Sequence, residues 1–141
     1  VTNKRKLCGL VSDALLGADA FIGVSKGNTI TEAMVQSMAP QAIVFALANP
    51  MPEIMPDVAH GAGALVVATG RSDFANQINN ALGFPGIFRG ALDHKVREIT
   101  EAMLLRAAKN LAALVKNPTA DHIIPPPFDQ RVVRVVASAI R

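Results

Sequence analysis

The sequence predicts an α/β fold, part of a doubly wound parallel sheet with about three strands in this chain and helices at the C-terminal end. Two observations carry that prediction. Three compact apolar runs, Ala20 to Val24, Ala42 to Ala48 and Ala64 to Thr69, lack the alternation of a half-exposed strand and read as strands covered on both faces. Each run leads into a short stretch of special residues: Gly23, Val24 and Ser25; Asn49 and Pro50; Gly70, Arg71 and Ser72. In an open parallel sheet the loops leaving neighbouring strand ends converge on one crevice, and ligands bind there. Asn49 is placed where such a ligand would sit.

The elements follow in order. Leu7, Leu10, Val11, Ala14 and Leu15 recur at the spacing of one helical face, with Gly17 in the position of a C-terminal cap, so the chain enters through a helix. Between the first two strands, residues 29–38 read as a helix with Thr29 or Thr31 as N-cap, closed off by Pro40. Strand, helix and strand over this distance make a βαβ unit. The glycines of Gly61-Ala62-Gly63 precede a strand and read as a turn. Residues from Val96 to Val115 carry a long helical pattern through Ile99, Leu104, Leu105, Ala108 and Leu111. Pro125, Pro126 and Pro127 make a stiff connector, and a valine-rich helix begins at about Gln130 and must pack on something.

A dinucleotide-binding unit usually announces itself by a strand, a GxGxxG turn, a helix and then an acidic residue for the ribose. That signature is absent from these residues.

The 141 residues are 50% hydrophobic, with a mean hydropathy of +0.31, enough for a core and high for a domain of this size. No run approaches the roughly 20 apolar residues of a membrane span, so the surplus is assigned to a face buried against another subunit or the rest of a larger protein. A net charge of +3, with no Tyr or Trp and only 4% aromatic residues, argues against a nucleic-acid partner. A single cysteine, Cys8, excludes an internal disulfide and suits a reducing, cytoplasmic setting; it reads as an ordinary packed thiol.

The densest polar cluster follows the third strand. Asn76, Gln77, Asn79 and Asn80 can orient carboxylates and carboxamides without adding charge, although turns and caps also use Asn. Phe84, Pro85 and Gly86 read as a turn beside them. Asp73, Asp93, Glu98 and Glu101 read as solvated charges, and His60, His94 and His122 share no metal-binding spacing. Arg71 leaves a strand end toward the crevice or closes a salt bridge within its own loop.

Read together, several blocks resemble one family. FIGVSKG at 21–27, FALANP at 45–50, ATGRSDF at 68–74, NQINN at 76–80, FPGIFRGALD at 84–93, IIP at 123–125 and FDQR at 128–131 stand in the order found in the C-terminal half of the cofactor domain of bacterial malic enzymes. The resemblance runs from the first helix to the end, and it implies a Rossmann-like domain. Residues 1–141 would be the C-terminal portion of an NAD(P)-binding domain, with a helical segment at about 94–141.

Malic enzymes oxidise malate with NAD or NADP and decarboxylate the product to pyruvate under Mg or Mn. The resemblance implies that Gly23, Val24 and Ser25 line the cofactor cleft. It further implies that Asn49 contacts cofactor and substrate, and that Asn79 and Asn80, at the start of a helix facing the same crevice, hold the substrate carboxylate. The family's acid is a Tyr, and this sequence has none. Its base, a Lys, and its metal ligands, a Glu and two Asp, belong to upstream sequence, so no catalytic and no metal residue is carried over. The resemblance also implies a homo-oligomer and an N-terminal remainder as partners. An alternative of another class is a non-catalytic half-Rossmann binding or interaction module, which a missing pyrophosphate-gripping turn would suit.

Overall fold

The computed structural model describes residue 3 and residues 6–141, which form two compact units, one ending at Gly70 and the other beginning at Arg71. Each has its own core.

In the first unit, helices and strands alternate: α1 (Val11–Leu15), β1 (Ala20–Gly23), α2 (Glu32–Gln36), β2 (Ile43–Ala46), α3 (Pro56–Gly61) and β3 (Val66–Thr69). The three strands are those read from the apolar runs. They pair in parallel in the order β1-β2-β3, with Phe21 beside Val44 and Val44 beside Val67. That register puts Phe21, Val44 and Val67 on one face, where they pack with Leu15 of α1, Val35 of α2 and Ala59 of α3. Coverage of both faces was the expectation from the apolar runs, and β1 and β2 depart from it. Ile22 is 67% exposed and Ile43 is 38% exposed, because the α1–α3 cluster occupies only the other face.

Local chemistry sets the helix ends. The Thr31 hydroxyl accepts the Met34 N–H at 3.3 Å and so caps α2, whereas the Thr29 hydroxyl donates to the Lys26 carbonyl instead. Gly17 has φ +68°, a conformation glycine adopts without a Cβ penalty, and its N–H reaches the Ser37 carbonyl at 2.8 Å. The apolar face expected from Leu7 to Leu15 is not formed as a unit. Asp13 accepts the Leu10 N–H at 2.8 Å and starts the helix at Val11, leaving Leu7 and Leu10 exposed and only Leu15 buried. Cys8 is likewise exposed instead of packed, since it precedes the helix. Pro56 opens α3 in the first turn, where its missing N–H costs nothing, and Gly63 at φ +103° makes the turn into β3.

The second unit holds a 3-10 turn (Asn80–Leu82) followed by α4 (Phe84–Asp93), α5 (Glu101–Ala112) and α6 (Gln130–Ala137). Phe84, Pro85 and Gly86 form the first turn of α4, not a free turn; Pro85 suits a helix start, and Gly86 is demanded by packing. The long pattern from Val96 is also shorter than expected. Thr100 accepts the Met103 N–H at 3.4 Å and begins α5 at Glu101, leaving Val96 and Ile99 before the helix. Val132 and Val136 of α6 are fully buried, and Val136 and Ile140 share a core with Ala107 of α5 and Ile87 of α4, so the valine-rich helix packs within its own unit. Three polar contacts fasten its end. Arg106 donates to the carbonyls of Ala139 and Arg141, both at 2.9 Å, and a His94 ring nitrogen sits 2.7 Å from the Ile140 carbonyl. No helix among the described residues is long and apolar enough to cross a membrane.

Candidate functional site

In the first unit the chain leaves β1 and β2 side by side. The Leu47 N–H donates to the Gly23 carbonyl at 2.9 Å, carrying the pairing one step past the strands. The segment after β2 contains a cis Asn49–Pro50 peptide and is hydrogen-bonded to the loop after β1. Its Pro52 and Glu53 carbonyls accept the N–H groups of Asn28 and Ile30, both at 3.0 Å.

Glu53 joins these two loops by its side chain as well. It is fully buried. One carboxylate oxygen accepts the Ser25 N–H at 2.8 Å and the Ser25 hydroxyl at 3.3 Å; the other accepts the Ala48 N–H at 3.0 Å. Gly23 makes room for this carboxylate, because a Cβ at position 23 would lie 2.6 Å from it. A Cβ at position 27 would likewise lie 2.8 Å from the Met51 carbonyl oxygen. Burying a carboxyl group is expensive unless hydrogen bonds replace its hydration, and two backbone N–H groups and a hydroxyl supply them here.

The arrangement brings Gly23, Val24 and Ser25 together with Asn49 at the carboxyl ends of adjacent strands. Gly23 is buried, while Val24, Ser25 and Asn49 present themselves to solvent. Fixed backbone flanked by the exposed residues Ser25 and Asn49 can seat a polar ligand edge without reorganising. Glu53 is the residue that sequence reasoning missed. A lone carboxylate between Pro52 and Ile54, just past a strand end, was the available signal, since an acid in apolar surroundings needs a buried partner.

Asn79 and Asn80 lie in the second unit, both exposed. The Asn79 side chain accepts the Ala81 N–H at 3.0 Å and caps the 3-10 turn that Asn80 begins, which ends just before Gly83 leads into α4. Asn76 does something different. It is almost fully buried, donating to the Ala120 carbonyl at 2.7 Å and accepting the Ile123 N–H at 2.9 Å, and so pins its loop to the segment before the prolines. Beside it lies an open groove of about 310 Å³, lined by Ser72, Phe74, Asn76, Gln77, His122 and Pro125.

Of the two readings of Arg71, the loop salt bridge is present. Its guanidinium meets Asp73 at 2.6 Å and lies over the Phe74 ring, 5.4 Å from the centroid. The hydrogen bond from Arg71 holds the Asp73 carboxyl below its ordinary range. Among the described residues, no three His, Cys, Asp or Glu side chains converge to hold a metal ion.

Parallel strands alternating with helices, with glycine-lined loops gathered at the strand ends, define a Rossmann-like domain. The chain belongs to the malic enzyme family: the model of the family's NAD-binding domain matches residues 3–140. It is 53% identical over 141 residues to the bifunctional malic/malolactic enzyme of Bacillus subtilis, covering 99% of this chain and 34% of that protein. It is 50% identical over 142 residues to the NAD-dependent malic enzyme of Geobacillus stearothermophilus, covering 99% of this chain and 30% of the relative. Among solved structures, the NAD-dependent malic enzyme of Thermotoga maritima superposes with a TM-score of 0.94 at 47% identity, over 99% of this chain and 36% of that one. The chain thus spans about a third of the length of these relatives.

Proposed function

We propose that residues 1–141 are the C-terminal portion of the NAD(P)-binding domain of a malic enzyme, with the helical segment at about 94–141 completing it. The whole enzyme would oxidise malate with NAD or NADP and decarboxylate it to pyruvate and CO2. The observation that supports this reading best is the tie between the Gly23 to Ser25 loop and the Asn49 loop through one buried carboxylate, a fixed frame of the kind a cofactor contact needs.

A bound nicotinamide would supply the hydride acceptor for oxidation at the carbon that carries the malate hydroxyl. The residues of this chain supply position. Gly23, Val24 and Ser25 would line the cofactor cleft, with Gly23 making room for the Glu53 carboxylate behind the loop, and Asn49 would orient the carboxamide end of the nucleotide and the substrate by its own carboxamide. Asn79 and Asn80 hold a substrate carboxylate. Mg or Mn would be held by a Glu and two Asp from the remainder of the enzyme, which would also provide the Lys base and the Tyr acid. The exposed apolar residues of α4, Phe84, Phe88 and Leu92, fit burial in a homo-oligomer or against the N-terminal remainder, and a cytoplasmic location goes with the reading.

The test is a malate-dependent nucleotide-reduction assay on purified full-length enzyme with Mn present, beside this chain alone. The full-length protein reduces NAD or NADP and the chain alone does not. Failure of the full-length protein overturns the assignment, and turnover by the chain overturns the division of labour.

A further inference from the structure

We infer that Glu53 is a positioning residue for the cofactor cleft: its carboxylate fixes the separation of the backbones at Ser25 and Ala48, and thereby the placement of Ser25 and Asn49 relative to each other. The inference rests on the functional reading above and deepens it.

The geometry calls for a carboxylate and no other group. Both oxygens are used, one on the Ser25 N–H and hydroxyl and one on the Ala48 N–H, and both backbone partners are donors. A carboxamide has a single acceptor oxygen; its NH2 would face one of the two N–H groups, donor against donor. An aspartate has both oxygens but is one methylene shorter. The frame is complementary from the other side, because Gly23 lacks the Cβ that would press on the carboxylate. The carbonyl of Glu53 holds the Ile30 N–H at 3.0 Å, so the residue is anchored at its backbone while its side chain reaches the two loops. A buried acid whose bonds all run to the two loops that carry Ser25 and Asn49 transmits geometry to both at once. Apolar packing could hold the loops together without setting their spacing.

The experiment compares wild-type full-length enzyme with Glu53→Gln and Glu53→Asp. It measures NADH affinity by fluorescence titration, KM and kcat for malate, melting temperature, and amide hydrogen exchange in peptides covering Ser25 and Ala48. In both variants NADH affinity falls about tenfold, the factor carried by one lost hydrogen bond, and exchange at Ser25 or Ala48 rises. The β2 amides stay protected. A lowered melting temperature with NADH affinity unchanged overturns the positioning role, as does unchanged exchange, and as does failure of both variants to fold. Wild-type enzyme that binds NADH but leaves malate untouched overturns the malate assignment alone, because NADH affinity and amide exchange still read Glu53.

Discussion

Gly90 of α4 lies so close to Ala137 of α6 that a Cβ at position 90 would meet the Ala137 carbonyl oxygen at 2.5 Å. One turn earlier, Gly86 stands in the same relation to Val136, with a Cβ 2.5 Å from the valine's own. The two helices therefore meet backbone to backbone, and the glycines that weaken α4 locally are what allow its packing. Gly90→Ala should destabilise the second unit by about 2 kcal/mol or more, since the obstacle is backbone that cannot swing aside. Gly61→Ala is the control: nothing lies within 4 Å of its Cβ position, and it should be neutral or gain a few tenths of a kcal/mol from reduced unfolded-state entropy. Urea denaturation followed by far-UV circular dichroism separates the two, and equal midpoints would refute the close-packing argument.

The start of α6 carries a pH-dependent contribution. Asp129 accepts the Arg131 N–H at 2.9 Å and pairs with its guanidinium at 2.6 Å, and the hydrogen bonds from Arg131 lower its carboxyl from 3.8 to about 2. A carboxyl lowered in the folded state stabilises the fold above its unfolded pKa and loses that contribution as pH falls through the folded value. Asp129→Asn keeps an N-cap acceptor but removes the charge. The variant should melt below wild type at pH 6, and the gap should close between pH 3.8 and about 2. A gap that persists at the acid end would assign the difference to the cap instead of the charge.

The three strands were legible because each is a short, continuous apolar run bounded by turn residues. α4 was not: it opens Phe84-Pro85-Gly86 and carries a second glycine at position 90, a composition that disfavours a helix until α6, some 40 residues later, is packed against it. The boundaries of α1 and α5 moved inward for a local reason, since Asp13 and Thr100 capture backbone N–H groups and set the first turn. Glu53 stayed hidden because one of its partners is a backbone N–H 28 residues away in sequence. Asn49 was legible as a strand-end residue, but the roles given to it and to Asn79 and Asn80 came from the family's motifs, and no spacing within the chain would have supplied them.

Asn49→Ala in the full-length enzyme should lower kcat/KM for malate by more than about tenfold while the melting temperature stays near wild type. Asn49 is exposed, so its removal opens no cavity; on the proposed role, what would be lost is a hydrogen bond that orients substrate against the nicotinamide, worth about 2 kcal/mol when the partner is charged. Steady-state kinetics beside a thermal melt decides the matter. Unchanged kinetics with a lowered melting temperature would make Asn49 a turn residue and nothing more.

Asn79 and Asn80 are adjacent but should respond differently to substitution. The Asn79 side chain is engaged as the cap of the 3-10 turn, so Asn79→Ala should cost about 1 kcal/mol of stability along with any effect on substrate. Asn80 begins that turn with its side chain exposed, and Asn80→Ala should leave stability within about 0.5 kcal/mol of wild type. If the pair holds the substrate carboxylate, Asn80→Ala raises KM for malate several-fold while KM for the nucleotide moves by less than about twofold, the pattern of a contact made to one ligand only. The reverse pattern would reassign Asn80 to the cofactor. A change in neither constant would remove it from the site and leave Asn49 to orient the substrate without it.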